Sequence, residues 1–292
     1  MFHGGYSAYF VALEKGLYRE RGLKVNVERG YGASDGVKRL GAGTNDLVFG
    51  DSGAAILARS AGAKVKLMAV IYEKAPFGIY ALKKSGISAP KHLEGRTIAT
   101  GPGDANHTLF PALARAAGID AGKVKWVKVD PTQQIPLLLA GKADATTLFV
   151  TSGHILDRET PKLGGHNRIL YSDYGVDIYS NGITTTDKFL AENPGSVRAF
   201  VQGTVRAYET AFAEPDEAIR ILLKHQPHLN RDLSRTMLDI VKGIVLTPAA
   251  RANGIGRIAE DKMRRTRDTI LSAHGKKAEV PLQDIYTNKA LR

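Results

Sequence analysis

Along the first 150 residues, segments whose hydrophobic positions alternate as in a β-strand are interspersed with segments whose hydrophobic positions recur at helical spacing. In the segment 23–30 (LKVNVERG), Leu23, Val25 and Val27 stand at every second position, which is typical of a β-strand with one buried face. In the segment before it, apolar residues recur at helical spacing until Gly22, a helix stop signal. Strand-like and helix-like stretches continue to alternate through VKLMAVIYE, GRTIATG, HTLFPALARAAG, VKWVKVD and QQIPLLLAG. This alternation predicts an α/β fold with largely parallel sheets.

The order of these stretches predicts two lobes. Strand–helix units lie on either side of residues 76–95, and a return segment lies near residues 174–182. A chain that leaves one lobe, builds another and comes back has the topology of a hinged binding protein with a central ligand cleft. We therefore predict three parts: lobe 1 over 1–82 and 179–270, lobe 2 over 83–178, and a C-terminal tail over 271–292 that packs back on the lobes.

Composition narrows the class of protein. Of the 292 residues 43% are hydrophobic and 24% charged, and no apolar run reaches the roughly 18 residues of a membrane span. The absence of cysteine excludes disulfides, thiolate nucleophiles and cysteine metal sites. The net charge of +12 suggests nucleic acid as a possible partner. The basic residues are dispersed, however, and their densest cluster (262–268, KMRRTRD) has no interleaved aromatics, so we expect no nucleic-acid partner.

Two glycine-rich stretches are suited to gripping a ligand. In GPGDANHTLF (101–110), the glycines allow close approach of the backbone, and Asp104 can cap a helix that begins near Asn106. FGDSGAAILA repeats the arrangement, with Asp51 and Ser52 ahead of a helix. The free N–H groups at such helix starts favour anionic or acceptor atoms of a ligand. The alternative interpretation, that these side chains only cap their helices, stays open.

The sequence carries no recognisable catalytic motif. No Gly-Lys-Ser/Thr ends either glycine-rich stretch, so neither is a Walker A loop. The GDSGA stretch at 50–54 ends in Ala54 where a nucleophile elbow needs glycine. His225 and His228 flank Pro227 and do not share a helix face. We therefore expect no catalytic residue, no metal and no cofactor.

Aromatic and acidic residues near predicted strand ends indicate the chemistry of the ligand. Aromatic walls suit a planar ring, and carboxylates accept hydrogen bonds from amino groups, which favours a nitrogen heterocycle. Some of these aromatics could instead be core residues, Tyr9 and Phe77 above all. The predicted ligand-binding residues are Tyr6, Asp51, Ser52, Tyr72, Glu73, Gly103, Asp104, Ala105, Asn106, Phe149, Tyr174, Tyr179 and Asn181.

Nearly the whole chain resembles the NMT1/THI5-like and SsuA-like solute-binding proteins of ABC transporters. The opening GGYSAYFVALEKGLYRERGLKVNVERG is similar to the start of these proteins, as is the later LVFGDSGAAI. Each motif is weak alone, but their order is specific. The resemblance continues through LEGRTIATGPGDANHTLFPALARAAGID, VKWVKVDP, LLLAGKADA, NPGSVRAFVQGTVRAYETAFAEPDEAI and IYTNKAL.

The resemblance implies a type II periplasmic-binding-protein-like fold and a monomer that delivers a small molecule to an ABC permease and its ATPase. The best guess for the ligand is a heterocycle such as a thiamine pyrimidine precursor; a sulfonate, taurine or nitrate is the alternative. Two other classes compete with transport: a THI5-like pyrimidine-biosynthesis enzyme and the ligand-binding domain of a regulator. An extracytoplasmic location, periplasmic or membrane-anchored, is expected.

Two departures from the family pattern stand out. In the family an apolar strand and an export signal precede the GGY segment, whereas here Met1 stands where the first strand should be ending. We therefore expect that strand and signal to belong upstream of this sequence. The enzyme branch of the family carries a cysteine-rich iron motif, which a chain without cysteine lacks. That absence argues against the enzyme.

Overall fold

The computed structural model of the chain describes residues 3–30, 33–277 and 279–292. Its contacts divide the polypeptide into two compact units. Unit 1 comprises the described residues of Met1–Lys74, Tyr179–Arg267 and Ala278–Arg292. Unit 2 comprises Ala75–Ile178 and Asp268–Lys277.

Unit 1 combines a small sheet with most of the helices. The chain first forms α1 (Ser7–Glu14), α2 (Ala33–Gly41), β1 (Leu47–Asp51), α3 (Ser52–Ser60) and β2 (Val65–Val70). After unit 2 it adds β8 (Asn181–Thr186), α7 (Asp187–Glu192), α8 (Pro194–Ala213), α9 (Pro215–His225), α10 (Arg231–Val245), α11 (Pro248–Asn253), α12 (Glu260–Ala273) and α13 (Leu282–Ile285). Residues of α12 after Arg267 are grouped with unit 2.

The sheet of unit 1 has the strand order β1-β8-β2, and β8 is antiparallel to both neighbours. The central strand is buried between its neighbours, with Ile183 and Thr185 fully inaccessible. Gly182 permits the close approach of β2, because a Cβ there would lie 2.5 Å from the carbonyl oxygen of Ala69. β1 is the edge of this sheet, and all five of its residues are only half-buried.

Unit 2 is built on a five-stranded mixed sheet. Its elements are β3 (Phe77–Leu82), β4 (Thr97–Thr100), α4 (Ala105–Ala117), β5 (Lys125–Lys128), α5 (Gln134–Leu139), β6 (Ala145–Phe149), α6 (Val150–Glu159) and β7 (His166–Leu170). The strand order is β5-β4-β6-β3-β7. β4 is parallel to β5 and β6, whereas β3 is antiparallel to β6 and β7.

The structure differs from the sequence predictions in two respects that bear on the site. The sheets are mixed rather than largely parallel, because β3 and β8 run against their neighbours. These two strands lie close to two of the points where the chain passes between the units, at residues 74–75 and 178–179. β3 belongs to unit 2, although the sequence placed residues up to 82 in lobe 1, since all its pairing is with β6 and β7.

The predicted strand at 23–30 has the expected alternation but no partner. Leu23, Val25 and Val27 are half-buried, and the residues between them are exposed. Within the described part of the chain, no backbone group of residues 24–28 makes a backbone–backbone hydrogen bond. The segment forms no ladder, because the side-chain pattern can specify a strand face without supplying a neighbouring strand.

Candidate ligand-binding site

Asp51 marks the carboxyl end of β1 and the start of α3. Its side chain caps the helix by accepting a hydrogen bond from the Gly53 N–H at 2.9 Å. It also accepts one from the Ser180 hydroxyl at 3.1 Å. Burial raises the pKa of the Asp51 carboxyl above its usual value, and the hydrogen bonds from Ser180 and Gly53 oppose that rise. Asp51 is therefore a poorly solvated acceptor at a helix start.

Ser52 and Asn181 flank Asp51 and face in different directions. Ser52 is fully buried, and its hydroxyl donates to the backbone carbonyl of Ser180, so it is engaged inside unit 1. Asn181 is half-buried, and its side-chain oxygen accepts from the Ser180 hydroxyl at 3.1 Å. Asn181 thus presents an amide group beside Asp51, whereas Ser52 is a structural residue.

Aromatic rings gather beside this carboxyl end of β1. The Phe49 ring centroid lies 6.0 Å from that of Tyr6, 5.4 Å from that of Tyr9 and 5.4 Å from that of Tyr72. Burial raises the pKa of the Tyr72 phenol well above its usual value. The Tyr72 hydroxyl is buried and has no hydrogen-bond partner among the described residues. Tyr9, discounted from the sequence as core, is indeed buried.

A groove of about 810 Å³ in unit 1 brings several of these residues together. The unit 1 groove is lined by the segment 23–30 and by residues 44–51. Of the predicted ligand-binding residues, Tyr6, Asp51 and Asn181 line it. Its remaining lining residues are Tyr9, Gly36, Arg39, Phe189, Ser196 and Phe200.

Glu73 and Tyr179, both predicted to bind ligand, are engaged with Lys262 of α12. The Lys262 ammonium donates to the Glu73 carboxylate at 2.8 Å, and the two side chains are 8% and 11% exposed. The same ammonium lies 5.1 Å from the centroid of the Tyr179 ring, and the Tyr179 hydroxyl accepts from the Ala259 N–H at 2.9 Å. The Glu73 carboxylate is therefore neutralised within unit 1.

In unit 2, Asp104 is the N-cap of α4, as the sequence predicted. One carboxylate oxygen accepts from the backbone N–H and the side-chain amide of Asn106, at 2.9 and 2.7 Å. The other accepts from the hydroxyls of Thr100 at 3.1 Å and Thr147 at 2.5 Å. Asn106 is 1% exposed and also accepts from the Gly78 N–H at 2.9 Å. Asp104 and Asn106 therefore direct their hydrogen bonds to each other and to residues of the unit 2 sheet.

The other predicted residues of unit 2 are more accessible. Phe149 at the end of β6 is 40% exposed, and its ring centroid lies 5.8 Å from that of Phe77. Gly103 is exposed with φ +69°, a backbone conformation that favours glycine. Ala105 and Tyr174 are half-buried. Phe149 is the most exposed aromatic residue of unit 2.

The sequence analysis did not identify the residues that donate hydrogen bonds to Glu73 and Asp104. The sequence offered Lys262 only as a member of the basic cluster 262–268, although it is buried; no periodicity distinguishes it from its basic neighbours. Thr147 and Gln134 were also missed. Gln134 donates to the Thr147 hydroxyl at 3.0 Å and its carbonyl at 2.8 Å. The Thr-Thr pair within the buried strand ADATTLF was the available signal, because buried hydroxyls require partners.

Two further kinds of feature are absent from the described ranges. No helix among residues 3–30, 33–277 and 279–292 is long and apolar enough to cross a membrane. In the same ranges, no group of three or more histidine, aspartate or glutamate side chains is arranged to hold a metal ion.

The fold is that of the periplasmic binding proteins. The periplasmic aliphatic sulphonate binding protein SsuA from Escherichia coli superposes with a TM-score of 0.78 over 99% of this chain and 97% of SsuA, at 16% identity. The family model described as NMT1/THI5 like matches residues 5–218. The chain therefore belongs to the NMT1/THI5-like family.

Curated relatives agree with this assignment. The riboflavin-binding protein RibY of Chloroflexus aurantiacus is 25% identical over 97% of this chain and 82% of its own length. The formylaminopyrimidine-binding protein of Halalkalibacterium halodurans is 26% identical over 84% of this chain and 74% of its own length. A 4-amino-5-hydroxymethyl-2-methylpyrimidine phosphate synthase of Legionella pneumophila is 23% identical over 76% of this chain and 70% of its own length.

Proposed function

We propose that this protein is the extracytoplasmic solute-binding component of an ABC importer and that its ligand is a nitrogen heterocycle bearing an amino or ring N–H donor. It delivers the ligand unchanged to a permease driven by an ATPase. The observation that carries the proposal is the placement of Asp51 and Asn181 beside the rings of Tyr6 and Phe49 at the carboxyl end of β1.

The chemistry of these groups matches such a ligand. A ligand amino group can donate to the Asp51 carboxylate, and the Asn181 amide can pair with a ring nitrogen or carbonyl. Because Asp51 is poorly solvated, a donor from the ligand stabilises its charged form more than water does. Contact with an aromatic ring adds about 1 kcal/mol per stacked or edge-on pair.

Two relatives support a heterocycle, since their names state riboflavin and formylaminopyrimidine as ligands. SsuA, whose fold this chain shares, is named as a binding protein for aliphatic sulphonates. A sulfonate would place a negative charge beside the Asp51 carboxylate, and like charges that are shielded from water repel each other. For this reason we rank the sulfonate second.

Calorimetric titration against a ligand panel tests the proposal. The panel contains aminopyrimidines, thiamine, riboflavin, taurine, an alkyl sulfonate and nitrate. We expect binding of an aminopyrimidine or flavin, and a 10- to 100-fold weaker Kd in Asp51→Asn, because a hydrogen bond to a charged group contributes roughly 1.5–3 kcal/mol. The matched control is Asp130→Asn, since Asp130 also caps a helical turn but is exposed in unit 2.

Three results would contradict the proposal. Binding confined to sulfonates or nitrate would mean that helix N-termini select the ligand. Equal affinities for the Asp51 and Asp130 variants would remove Asp51 from the site. Mass spectrometry of the ligand after long incubation with the protein checks the absence of turnover, and a chemically altered ligand would assign the chain to the enzyme class instead.

A further inference from the structure

Unit 1 contains a second cavity, at the start of α12. This α12 cavity has a volume of about 360 Å³ and is lined by Glu260 and by residues of the segment 282–292. Its lining residues and those of the unit 1 groove do not overlap. Its volume lies at the lower end of the range of about 300–1,000 Å³ found for small-molecule sites. The α12 cavity therefore has room for a small organic molecule away from the candidate ligand site.

Hydrogen bonds to two other elements hold the wall of the α12 cavity. The Thr287 N–H donates to the carbonyl of Leu67, on β2, at 3.0 Å. The Asn288 amide accepts from the Ile258 N–H and donates to the Ile258 carbonyl, at 2.9 Å in each case. The fold thus fixes this wall against β2 and against the residues just ahead of α12. Because the wall is already ordered, a ligand loses little affinity to ordering the chain.

Cationic side chains predominate among the charged groups of the α12 cavity. Lys289 and Arg292 line it, and neither side chain forms an ion pair with another described residue. The Arg292 backbone is held by the Gln202 amide of α8, which donates to the Arg292 carbonyl at 3.0 Å. Glu260 also lines the cavity, but its carboxylate accepts from the Arg264 guanidinium at 2.7 Å. The one acid is therefore compensated, and two cations are left to attract an anion.

Uncharged side chains add donors and an apolar surface to the α12 cavity. Tyr286 is half-buried, and its phenol forms no hydrogen bond with another described residue. Burial raises the pKa of the Tyr286 phenol above its usual value, so the phenol keeps its proton at neutral pH and can donate. Leu282 is buried and contributes apolar surface, as does the Tyr286 ring. A planar ring suits such a surface, because aromatic rings pack edge-on or offset-stacked.

We propose that the α12 cavity is a second binding site and that it takes a small organic anion, a carboxylate or phosphate monoester attached to a planar ring. The anionic oxygens accept hydrogen bonds from Lys289, Arg292 and the Tyr286 phenol, and the ligand ring lies against Leu282. Hydrogen bonds in which both groups are charged are roughly twice as strong as neutral ones. The inference does not depend on the proposed function, since the two sites share no lining residue.

A titration followed by amide chemical shifts tests the inference with phenyl phosphate and benzoate. Benzyl alcohol is the uncharged probe, and inorganic phosphate is the probe without a ring. We expect at least one of the two aryl anions to bind about tenfold more tightly than either control probe, because only the aryl anions use both the cations and the apolar surface. The shifts of residues 258–264 and 282–292 should move, whereas those of residues 44–51 in the unit 1 groove should not.

Three variants assign the binding to named side chains. Lys289→Gln and Arg292→Gln should each weaken aryl-anion binding about threefold to tenfold, because each removes one charged donor. Lys38→Gln is the matched control, since Lys38 is exposed on α2 and lines neither the α12 cavity nor the groove. Its affinity should equal that of the unmodified chain. Equal melting temperatures of the three variants show that the losses do not come from unfolding.

Several results would overturn the inference. No shift change with millimolar phenyl phosphate or benzoate would mean that the α12 cavity takes no aryl anion. Equal weakening by Lys38→Gln would show attraction to the overall positive charge instead of a site. Unchanged affinity in both the Lys289 and Arg292 variants, or shifts confined to residues 44–51, would place the anion elsewhere. Failure of the proposed function would appear separately, in the titrations with heterocycles and the Asp51 variant.

Discussion

Units 1 and 2 begin a helix after a strand in the same way but use the capping aspartate differently. In unit 1, Asp51 accepts from Gly53 and Ser180 and borders an open groove. In unit 2, Asp104 accepts four hydrogen bonds, from Asn106, Thr100 and Thr147, all within its own unit. Two stretches that look equivalent in sequence therefore yield one carboxylate directed to a groove and one built into a polar network.

The difference shows that a capping motif does not specify a ligand contact. An acid serves a ligand only if its lone pairs are not already used by the protein. Glu73 in unit 1 follows the pattern of Asp104, since Lys262 neutralises it. Of the three predicted acids, Asp51 alone lies on the groove. Four predictions test this distinction between acids bonded within the protein and an acid that borders the groove.

The largest effect is expected from Lys262→Met, which leaves the Glu73 carboxylate buried without its partner. Breaking a buried ion pair lowers the free energy of unfolding by roughly 3–5 kcal/mol. Urea unfolding followed by far-UV circular dichroism measures the loss. The double variant Lys262→Met/Glu73→Gln should recover much of it, because no buried charge is then left. Equal losses in the single and double variants would show that the pairing itself is unimportant.

Asp104→Ala should destabilise unit 2 by about 2–4 kcal/mol, because it removes a helix cap and leaves buried hydroxyls of Thr100 and Thr147 without their acceptor. Trp126, the single tryptophan, lies on β5 and packs against Phe110 of α4. Its fluorescence during urea unfolding therefore reports on unit 2. Asp130→Ala is the control and should change little; equal shifts would mean that the Asp104 network adds nothing to a simple cap.

Asp51→Ala should lower the free energy of unfolding by less than about 1 kcal/mol, because the lost cap is offset by relief of a poorly solvated carboxylate. The same change should abolish most ligand affinity in calorimetry. This combination, a small loss of stability with a large loss of binding, is the reverse of that expected for Asp104→Ala. A stability loss as large as that of Asp104→Ala would make Asp51 a structural residue too.

The smallest effect concerns pH, and its sign should differ between the units. Burial lowers the pKa of His166 in unit 2 below its usual 6.5, so its contribution is complete above pH 6.5 and is lost as pH falls towards the folded pKa. Burial raises the pKa of Asp51 in unit 1 above 3.8, so its contribution is complete below pH 3.8 and is lost as pH rises through the folded pKa.

Melting temperatures of two variants across pH 3.5–8 check these signs. His166→Gln should flatten the loss of stability below pH 6.5, and Asp51→Asn should gain relative to the unmodified chain as the pH rises above 3.8. Parallel pH profiles for both variants and the unmodified chain would contradict the assigned directions.

Sequence patterns predicted the helix starts well, because a cap depends on residues that are neighbours in the chain. Asp51 caps α3 and Asp104 caps α4, as the two glycine-rich stretches predicted. The predicted strand over 23–30 shows the limit of such patterns. Its alternation is present in the structure, but a strand also needs a partner, which local sequence does not encode.

The predicted ligand-binding residues of unit 1 likewise fall into two groups, those on the groove and those bonded inside the protein. Tyr6, Asp51 and Asn181 line the unit 1 groove, whereas Ser52, Glu73 and Tyr179 have internal partners within unit 1. Residue type alone cannot distinguish these groups, because a buried carboxylate and an exposed one look the same in sequence. Ligand contact for every member of the set stays a prediction until binding is measured.

The sequence by itself determined the α/β class, the family, the helix starts and the absence of cysteine chemistry, because these follow from local periodicity, neighbouring residues and composition. Tertiary structure alone decided which acids are neutralised. Lys262 is 189 residues from Glu73, and Thr147 is 43 from Asp104, so no local pattern connects either pair. Long-range packing thus determines which polar groups are left to bind a ligand, since a group already satisfied inside the protein has little more to gain.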